Sequence, residues 1–244
     1  MSYTFSSSNH VGPLAAAIEQ LAGLPARPEI KALLGPLDDW AISAQTAHLL
    51  ARLVEHLGAR TVLEFGAGRS SVILAATLQA SGTGRLTSIE HQPRYAEPAW
   101  RQMTQFPSVD AKLVKAGLAM RFSKHGLLRY YTGIAEALRT RGPFDFVFID
   151  GPPGHLGRDA TLLAAAPFLA ADAVVLLDDA ARPQEQTAVR RWERALPVER
   201  VFESETLGRG VIVLRLRHPA TPSISLRTFA GTIHDRLIEW RYRH

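Results

Sequence analysis

Apolar residues occur along this chain in short runs separated by longer amphipathic stretches. The runs are rich in Val, Ile, Leu and Phe and are apolar at consecutive positions, which indicates strands of a parallel sheet with helices on both faces. The stretches between them predict the covering helices. Five runs fit this description: Thr61–Phe65, Leu86–Glu90, Ala111–Val114, Phe144–Asp150 and Ala173–Asp178.

Helical spacing is clearest before the first run. Apolar residues between Leu49 and Leu57 repeat on one face, and Gly58 is suited to end that helix. A further helix is predicted at Leu14–Ala22, followed by a proline-punctuated segment that leads to Trp40. Residues 1–44 are therefore expected to form an N-terminal helical cap.

The pattern changes after the fifth run. A predicted helix, Pro183–Ala195, leads to Glu199–Ser204, and only the link ETLGRG separates that run from Val211–Leu216. So short a link cannot carry a crossover helix, so the last two runs predict an antiparallel hairpin. The expected fold class is α/β, a doubly wound, mostly parallel seven-stranded sheet with an antiparallel last strand.

Length and composition support one domain. The 244 residues, 46% of them hydrophobic, suffice for a single sizeable core. We expect a core over 45–216 and a basic tail over 217–244 with a helix at Ile233–Trp240. No apolar window approaches ~18 residues and the N-terminus lacks a signal-peptide pattern, so a cytoplasmic location without membrane contact is expected.

Charge and cysteine content narrow the chemistry. The formal net charge is +5, but residues 215–244 hold six arginines against Asp235 and Glu239, so the body of the chain is almost neutral. We therefore expect no nucleic-acid partner. The chain has no cysteine, which excludes disulfides and thiolate metal sites and leaves oxygen or imidazole as metal ligands.

A glycine turn follows the first strand and carries the strongest chemical signal. Gly66 and Gly68 allow close approach to the backbone, and Ser70 or Ser71 can cap the helix that follows. The positive end of that helix would attract a carboxylate or a phosphate. The acid Glu64 precedes the turn, and position 71 lacks the third glycine of a dinucleotide fingerprint.

A second acid, Glu90, ends the second strand, 22 residues after Gly68. A carboxylate at that point of an α/β fold can accept hydrogen bonds from both hydroxyls of a ribose. The glycine turn and Glu90 together indicate a nucleoside-containing ligand.

The segments LEFGAGRSS, SIEHQ, FDFVFIDGPPG and VVLLDDAARP, in this order and before a terminal hairpin, resemble the class I S-adenosylmethionine-dependent methyltransferases and their Rossmann-like fold. The resemblance spans about residues 45–216. Within the superfamily the chain looks most like the catechol-type small-molecule O-methyltransferases, which it resembles more loosely. Ser70 stands where the family pattern usually has a third glycine. The resemblance implies the following cofactor-binding residues: Glu64, Gly66, Gly68 and Ser70 for the methionine part, Glu90 for the ribose, His91 beside the adenosine, Ala116 and Gly117 near the adenine, and Asp150.

Three carboxylates converge at the ends of the fourth and fifth strands: Asp150, Asp178 and Asp179. Oxygen-liganded Mg²⁺ would satisfy them, and two of the three match ligand positions of the catechol-type branch. The catalytic lysine of that branch is replaced by Pro153. A hydrogen-bonded acidic crevice without metal is therefore favoured over the divalent-metal site.

Proton acceptors and pocket walls follow from the neighbouring loops. His155, Asp150 and Asp178 are the catalytic candidates, because a methylated hydroxyl must lose one proton. Arg158 and Arg182 are expected to pair with the acids rather than bind substrate. The aromatics expected to border the site are Trp40, in the cap, and Tyr130 and Tyr131, in the loop before the fourth strand.

The predicted function is S-adenosylmethionine-dependent methyl transfer to a small-molecule acceptor, at a hydroxyl oxygen. Two alternatives stay open: an aminopropyltransferase-like enzyme on the same fold, and a non-catalytic module that binds the cofactor or a partner. The sequence also leaves a homodimer open.

Overall fold

The computed structural model describes residues 11–35, 41–123 and 125–221. Trp40 and the predicted helix Ile233–Trp240 lie outside these residues. The described elements are α1 (Val11–Gly23), α2 (Pro28–Leu34), α3 (Ala44–Leu57), β1 (Thr61–Phe65), α4 (Arg69–Ala80), β2 (Gly84–Glu90), α5 (Pro93–Trp100), β3 (Val109–Lys115), β4 (Leu118–Ser123), β5 (Gly126–Tyr131), α6 (Ala135–Arg141), β6 (Phe144–Ile149), α7 (Thr161–Ala165), β7 (Leu169–Asp178), α8 (Pro183–Ala195), β8 (Val198–Ser204) and β9 (Val211–Leu216).

Seven of the described strands form one sheet, in the order β3-β2-β1-β6-β7-β9-β8. Neighbours pair in parallel except around β9, which is antiparallel to both β7 and β8. The short link 205–210 makes this arrangement necessary, because it can only return the chain beside β8. The predicted fold class is confirmed.

A two-stranded hairpin, β4–β5, lies outside this sheet and corrects one prediction. The stretch between β3 and β6 was expected to be helical, with Tyr130 and Tyr131 in a loop; both tyrosines lie in β5. The physical reason is an alternation of period two: Leu118, Met120 and Phe122 share one face of β4. That alternation favours a strand over a helix.

The core lies on both faces of the sheet, because consecutive strand residues point to opposite sides. In β6, Phe146 and Phe148 pack with the layer of α1, α2, α3 and α4, whereas Val147 and Ile149 pack with α6, α7 and α8. At the end of α3, Gly58 adopts the left-handed conformation and its N–H bonds Glu55 O, as predicted for a helix stop. No helix within the described part of the chain is long and apolar enough to span a membrane.

Four parallel strands end level with one another, which creates the edge that holds the site. Phe65 pairs with Ile89 on one side and with Ile149 on the other, and Ile149 pairs with Leu177. The residues that follow these four positions therefore emerge side by side: Gly66, Glu90, Asp150 and Asp178.

Candidate active site

A cavity of about 410 Å³ opens at the carboxyl edge of the sheet. Eight of the residues predicted from the sequence line it: Gly66, Gly68, Ser70, Glu90, His91, Asp150, His155 and Asp179. Four others lie outside its lining: Glu64, Ala116, Gly117 and Asp178. The crevice at the ends of parallel strands is where ligands bind in open α/β sheets.

The two glycines of the turn after β1 have different roles. Gly66 adopts φ +94°, and a Cβ there would lie 2.6 Å from the backbone N of Gly151. Gly66 is therefore needed for packing against the loop after β6. Gly68 has extended backbone, and a Cβ there would meet no atom within 4 Å. The space in front of Gly68 is open to a ligand.

Glu64 lies behind the cavity wall and is fully buried. It accepts hydrogen bonds from three hydroxyls: Ser70 Oγ at 2.5 Å, Ser71 Oγ at 2.6 Å and Ser88 Oγ at 2.5 Å. Burial raises the pKa of Glu64 to about 7, although the three hydrogen bonds act in the opposite direction. Glu64 thus joins β1, β2 and the start of α4, and the Ser70 hydroxyl is directed at Glu64.

The helix α4 begins at the cavity. Gly68 is its N-cap; its N–H donates to Ser71 Oγ at 3.1 Å, and Ser71 N–H donates back to Gly68 O at 3.1 Å. The first N–H groups of a helix have no partner within the helix and carry its positive dipole end. The backbone of Arg69 and Ser70 is therefore suited to bind a carboxylate in the cavity.

Glu90 and His91 form the wall at the end of β2. Glu90 Oε1 accepts a 2.6 Å hydrogen bond from Gln92 N and lies 2.9 Å from His91 Nδ1. The His91 ring packs edge-on against the buried ring of Tyr131, with centroids 6.2 Å apart. Tyr131 therefore supports His91 from behind, and neither it nor Tyr130 lines the cavity.

A buried guanidinium, that of Arg158, lies among the acids at the ends of β6 and β7. Its Nη2 donates to Asp150 O at 2.8 Å and its Nη1 to Asp178 O at 3.0 Å. Nη2 also lies 3.8 Å from Asp150 Oδ1 and 3.7 Å from Asp179 Oδ2. Arg158 thus fixes both strand ends and supplies positive charge beneath the cavity.

Asp179 is engaged by two further arginines. Arg182 Nη1 lies 2.9 Å from Asp179 Oδ2, and Arg209 Nε donates to Asp179 Oδ1 at 2.5 Å. The predicted pairing of Arg158 and Arg182 with the acids is confirmed. Arg209 was not predicted; it comes from the link between β8 and β9, which packs on the turn after β7 through the Ala181 N to Arg209 O bond.

Burial dominates the electrostatics of the remaining acids. It raises the pKa of Asp150 well above its ordinary value, and the neighbouring charge of Asp178 raises it further. The pKa of Asp178 is also raised by burial, while Thr46 Oγ1 donates to its Oδ1 at 3.1 Å. Asp150 therefore holds a proton more readily than an exposed aspartate does.

The arrangement of the carboxylates at the ends of β6 and β7 does not fit a metal site. Both carboxylate oxygens of Asp179 are engaged by arginines, and Asp178 is turned to Thr46 behind the cavity. Across residues 11–35, 41–123 and 125–221, no group of three or more His, Asp or Glu side chains is arranged to hold a metal ion. The guanidiniums thus supply the positive charge that Mg²⁺ would bring to these acids.

Comparisons with known proteins agree with this fold. Residues 63–180 match a family model described as a methyltransferase domain. No protein of curated function matches the sequence. Among solved structures, cofactor-bound Rv0187 from MTB is 22% identical, with a TM-score of 0.54 over 88% of this chain and 93% of that chain.

Two further solved structures are O-methyltransferases. TomG from Streptomyces achromogenes, involved in tomaymycin synthesis and solved with S-adenosylmethionine, is 23% identical, with a TM-score of 0.54 over 86% of this chain and 91% of that chain. An O-methyltransferase from Bacillus cereus, solved with S-adenosylhomocysteine, is 18% identical, with a TM-score of 0.54 over 84% and 99%.

The class predicted from the sequence is confirmed: residues 63–180 match a methyltransferase domain, and the chain has the class I fold of the similar O-methyltransferases. Neither the family match nor the fold favours the aminopropyltransferase or the non-catalytic module.

Proposed function

We propose that the chain transfers a methyl group from S-adenosylmethionine to a hydroxyl oxygen of a small molecule. The observation that carries this proposal is the cavity in which the open space at Gly68 and the carboxylate of Glu90 lie beside each other, at the ends of β1 and β2. When bound there, the cofactor supplies a methyl group that its sulfonium has already activated.

The cofactor-binding residues fit this ligand. The first N–H groups of α4 would bind its carboxylate, and Gly66 and Gly68 would border the methionine part. Glu90 would accept the ribose hydroxyls, because its Oε1 holds Gln92 while no described residue donates to its Oε2. His91 would lie beside the adenosine.

The adenine would lie toward Ala116 and Gly117. This follows from the end of β3, where Ala116 N donates to Glu90 O at 2.9 Å and so places the segment next to the ribose-binding acid. Glu64, in contrast, would act on the cofactor indirectly, by holding the glycine turn and the start of α4 in place.

The acceptor would bind over the ends of β6 and β7, beside Asp150 and Asp179. The chain must align the acceptor oxygen with the methyl carbon, exclude water and take up one proton. Asp150 is our candidate for the proton acceptor, because it lines the cavity and its pKa is raised. Asp178 would act through Asp150. His155, on the rim of the cavity, is the second candidate for the proton acceptor.

Several features of the protein stay predictions: the cytoplasmic location, the lack of a nucleic-acid partner, a homodimer, and the division into a cap (1–44), a core (45–216) and a tail (217–244). The methyl acceptor is proposed only as a class, a small molecule with a hydroxyl group.

Calorimetry tests the proposal. We expect S-adenosylhomocysteine to bind with micromolar affinity and NAD not to bind, because the nicotinamide fingerprint is incomplete at Ser71. When the chain is incubated with S-adenosylmethionine and a panel of phenols and catechols, methyl transfer should then produce S-adenosylhomocysteine. Binding of NAD without any response to S-adenosylhomocysteine would refute the proposed function.

A further inference from the structure

The walls of the cavity carry more positive than negative charge. Its described lining includes five arginines and three carboxylates: Arg69, Arg94, Arg158, Arg182 and Arg209 against Glu90, Asp150 and Asp179. The proposed cofactor adds one net positive charge, since its sulfonium and ammonium outweigh its carboxylate. An acceptor that binds beside it enters a positive field, which favours an anion.

The arginines differ in how far the protein neutralises them. Arg158, Arg182 and Arg209 each have a carboxylate within 4 Å. Arg94 lies over the Tyr95 ring, 4.9 Å from its centroid, and is exposed. Arg69 differs from all of these, because within the described residues no ion pair or hydrogen bond engages its guanidinium.

The position of Arg69 suits a ligand in the cavity. It is the first residue of α4 and directly follows Gly68. Its guanidinium lies beside Gly35 at the end of α2, where an added Cβ would be 3.8 Å from Nη2. Ala41 also lines the cavity, and its carbonyl accepts a hydrogen bond from Arg209. Arg69 therefore lies between the cavity and the end of α2.

We propose that the methyl acceptor carries an anionic group, of the carboxylate class, that binds the guanidinium of Arg69. This inference rests on the proposed function and narrows its substrate class to hydroxy acids. Two carboxylates could reach Arg69, that of the acceptor and that of the cofactor. The structure favours the acceptor, because the first backbone N–H groups of α4 are already available to the cofactor.

Binding measurements on the full chain, saturated with S-adenosylhomocysteine, test the charge preference. The probes are hydroxybenzoate, dihydroxybenzoate and hydroxycinnamate, each paired with its neutral amide. We expect at least one acid to bind about tenfold more tightly than its amide, as a charge-assisted contact to arginine implies. Equal affinities, tighter binding of the amides, or no binding of any acid would overturn the inference.

Substitution of Arg69 identifies the contact. Arg69→Gln should reduce the preference for the acid to within about twofold, whereas Arg69→Lys should keep part of it because the charge remains. Arg190→Gln, on the exposed face of α8, is the matched control and should change nothing. Thermal unfolding confirms that each variant is folded, and an unchanged preference in folded Arg69→Gln would overturn the inference.

The same variant separates the two sources of the carboxylate. We expect Arg69→Gln to bind S-adenosylhomocysteine within about twofold of the unmodified chain. If it loses affinity for S-adenosylhomocysteine but not for methylthioadenosine, which lacks the amino-acid carboxylate, then Arg69 binds the cofactor and the inference fails. Failure of the unmodified chain to bind S-adenosylhomocysteine would instead refute the proposed function.

Asp38 and Asp39 follow Gly35 in the part of the chain that the structure does not describe, so their influence is measured directly. We expect the acid preference to be present already in the unmodified chain and to change little in the Asp38→Asn, Asp39→Asn double variant. A preference that emerges only in the double variant would show that these acids neutralise Arg69, and would overturn the inference.

Discussion

Ser88 and Glu64 lie opposite each other on the neighbouring parallel strands β2 and β1, and the Ser88 hydroxyl donates to Glu64 Oε2. The other two hydroxyls on this carboxylate come from the first turn of α4. One buried acid therefore ties together the three elements that shape the cofactor end of the cavity.

The raised pKa of Glu64 predicts how stability depends on pH. Because its folded-state pKa is about 7 against the ordinary 4.5 of a glutamate, the folded chain binds the proton more tightly, and stability falls as pH rises from about 4.5 through 7. Glu64→Gln removes this titration. Between about pH 5 and pH 8, the free energy of unfolding of the unmodified chain should fall by about 2.5 kcal/mol more than that of the variant.

Chemical denaturation at both pH values measures this difference. Glu136→Gln is a suitable control, because Glu136 is exposed on α6 and pairs only with Arg139 among the ion pairs of the described residues. If the free energy of unfolding changes with pH in the same way in the Glu64→Gln variant and the unmodified chain, the raised pKa of Glu64 is contradicted.

The parallel strands could be predicted because the pattern that indicates each strand lies entirely within its own residues. A strand buried on both faces needs consecutive apolar residues, as in FDFVFID, and the register then follows from covering helices of ordinary length. The hairpin β4–β5 was missed because its alternation is interrupted: Leu127 and Leu128 are adjacent, and only one of them is buried. Leu118, Met120 and Phe122 carried the signal that could have revealed it.

The cofactor end of the site was more predictable than the acceptor end for a similar reason. Glu64, Gly66 and Gly68 lie within five consecutive residues, so their spacing is visible in the sequence. Arg209 reaches Asp179 from 30 residues further along the chain, and only the insertion of β9 between β7 and β8 brings the two together. No local spacing could have indicated that contact.

The two glycines of the turn predict opposite outcomes for the same substitution. Gly66→Ala should destabilise the fold, because the new Cβ would overlap the Gly151 backbone and φ is positive. Gly82→Ala is the matched control: its φ is also positive, but its Cβ would meet nothing within 4 Å. We expect Gly82→Ala to cost about 1–2 kcal/mol and Gly66→Ala clearly more, measured by denaturation.

Gly68→Ala should leave stability nearly unchanged, since its extended backbone suits any residue and its Cβ would meet open space. If that space receives the cofactor, affinity for S-adenosylhomocysteine should fall about tenfold or more. Calorimetry on the folded variant checks this. Full affinity would show that the ligand does not approach Gly68.

Glu90 should contribute directly to cofactor affinity. Hydrogen bonds from two ribose hydroxyls to a carboxylate are each worth ~1.5–3 kcal/mol, so Glu90→Ala should weaken S-adenosylhomocysteine binding at least about tenfold without unfolding the chain. Glu97→Ala, on the exposed surface of α5, is the control for loss of a negative charge nearby. An unchanged dissociation constant in folded Glu90→Ala would remove Glu90 from the site.

Treatment with a chelator distinguishes the arginine-paired acids from a metal site. Since Arg182 and Arg209 engage both oxygens of Asp179, and Thr46 donates to Asp178, we expect EDTA to leave turnover within about twofold. Asp178→Asn should be mild, because the amide oxygen can still accept the Thr46 hydrogen bond. Loss of activity in EDTA that added Mg²⁺ restores would show that the acids bind a divalent ion after the arginines move aside.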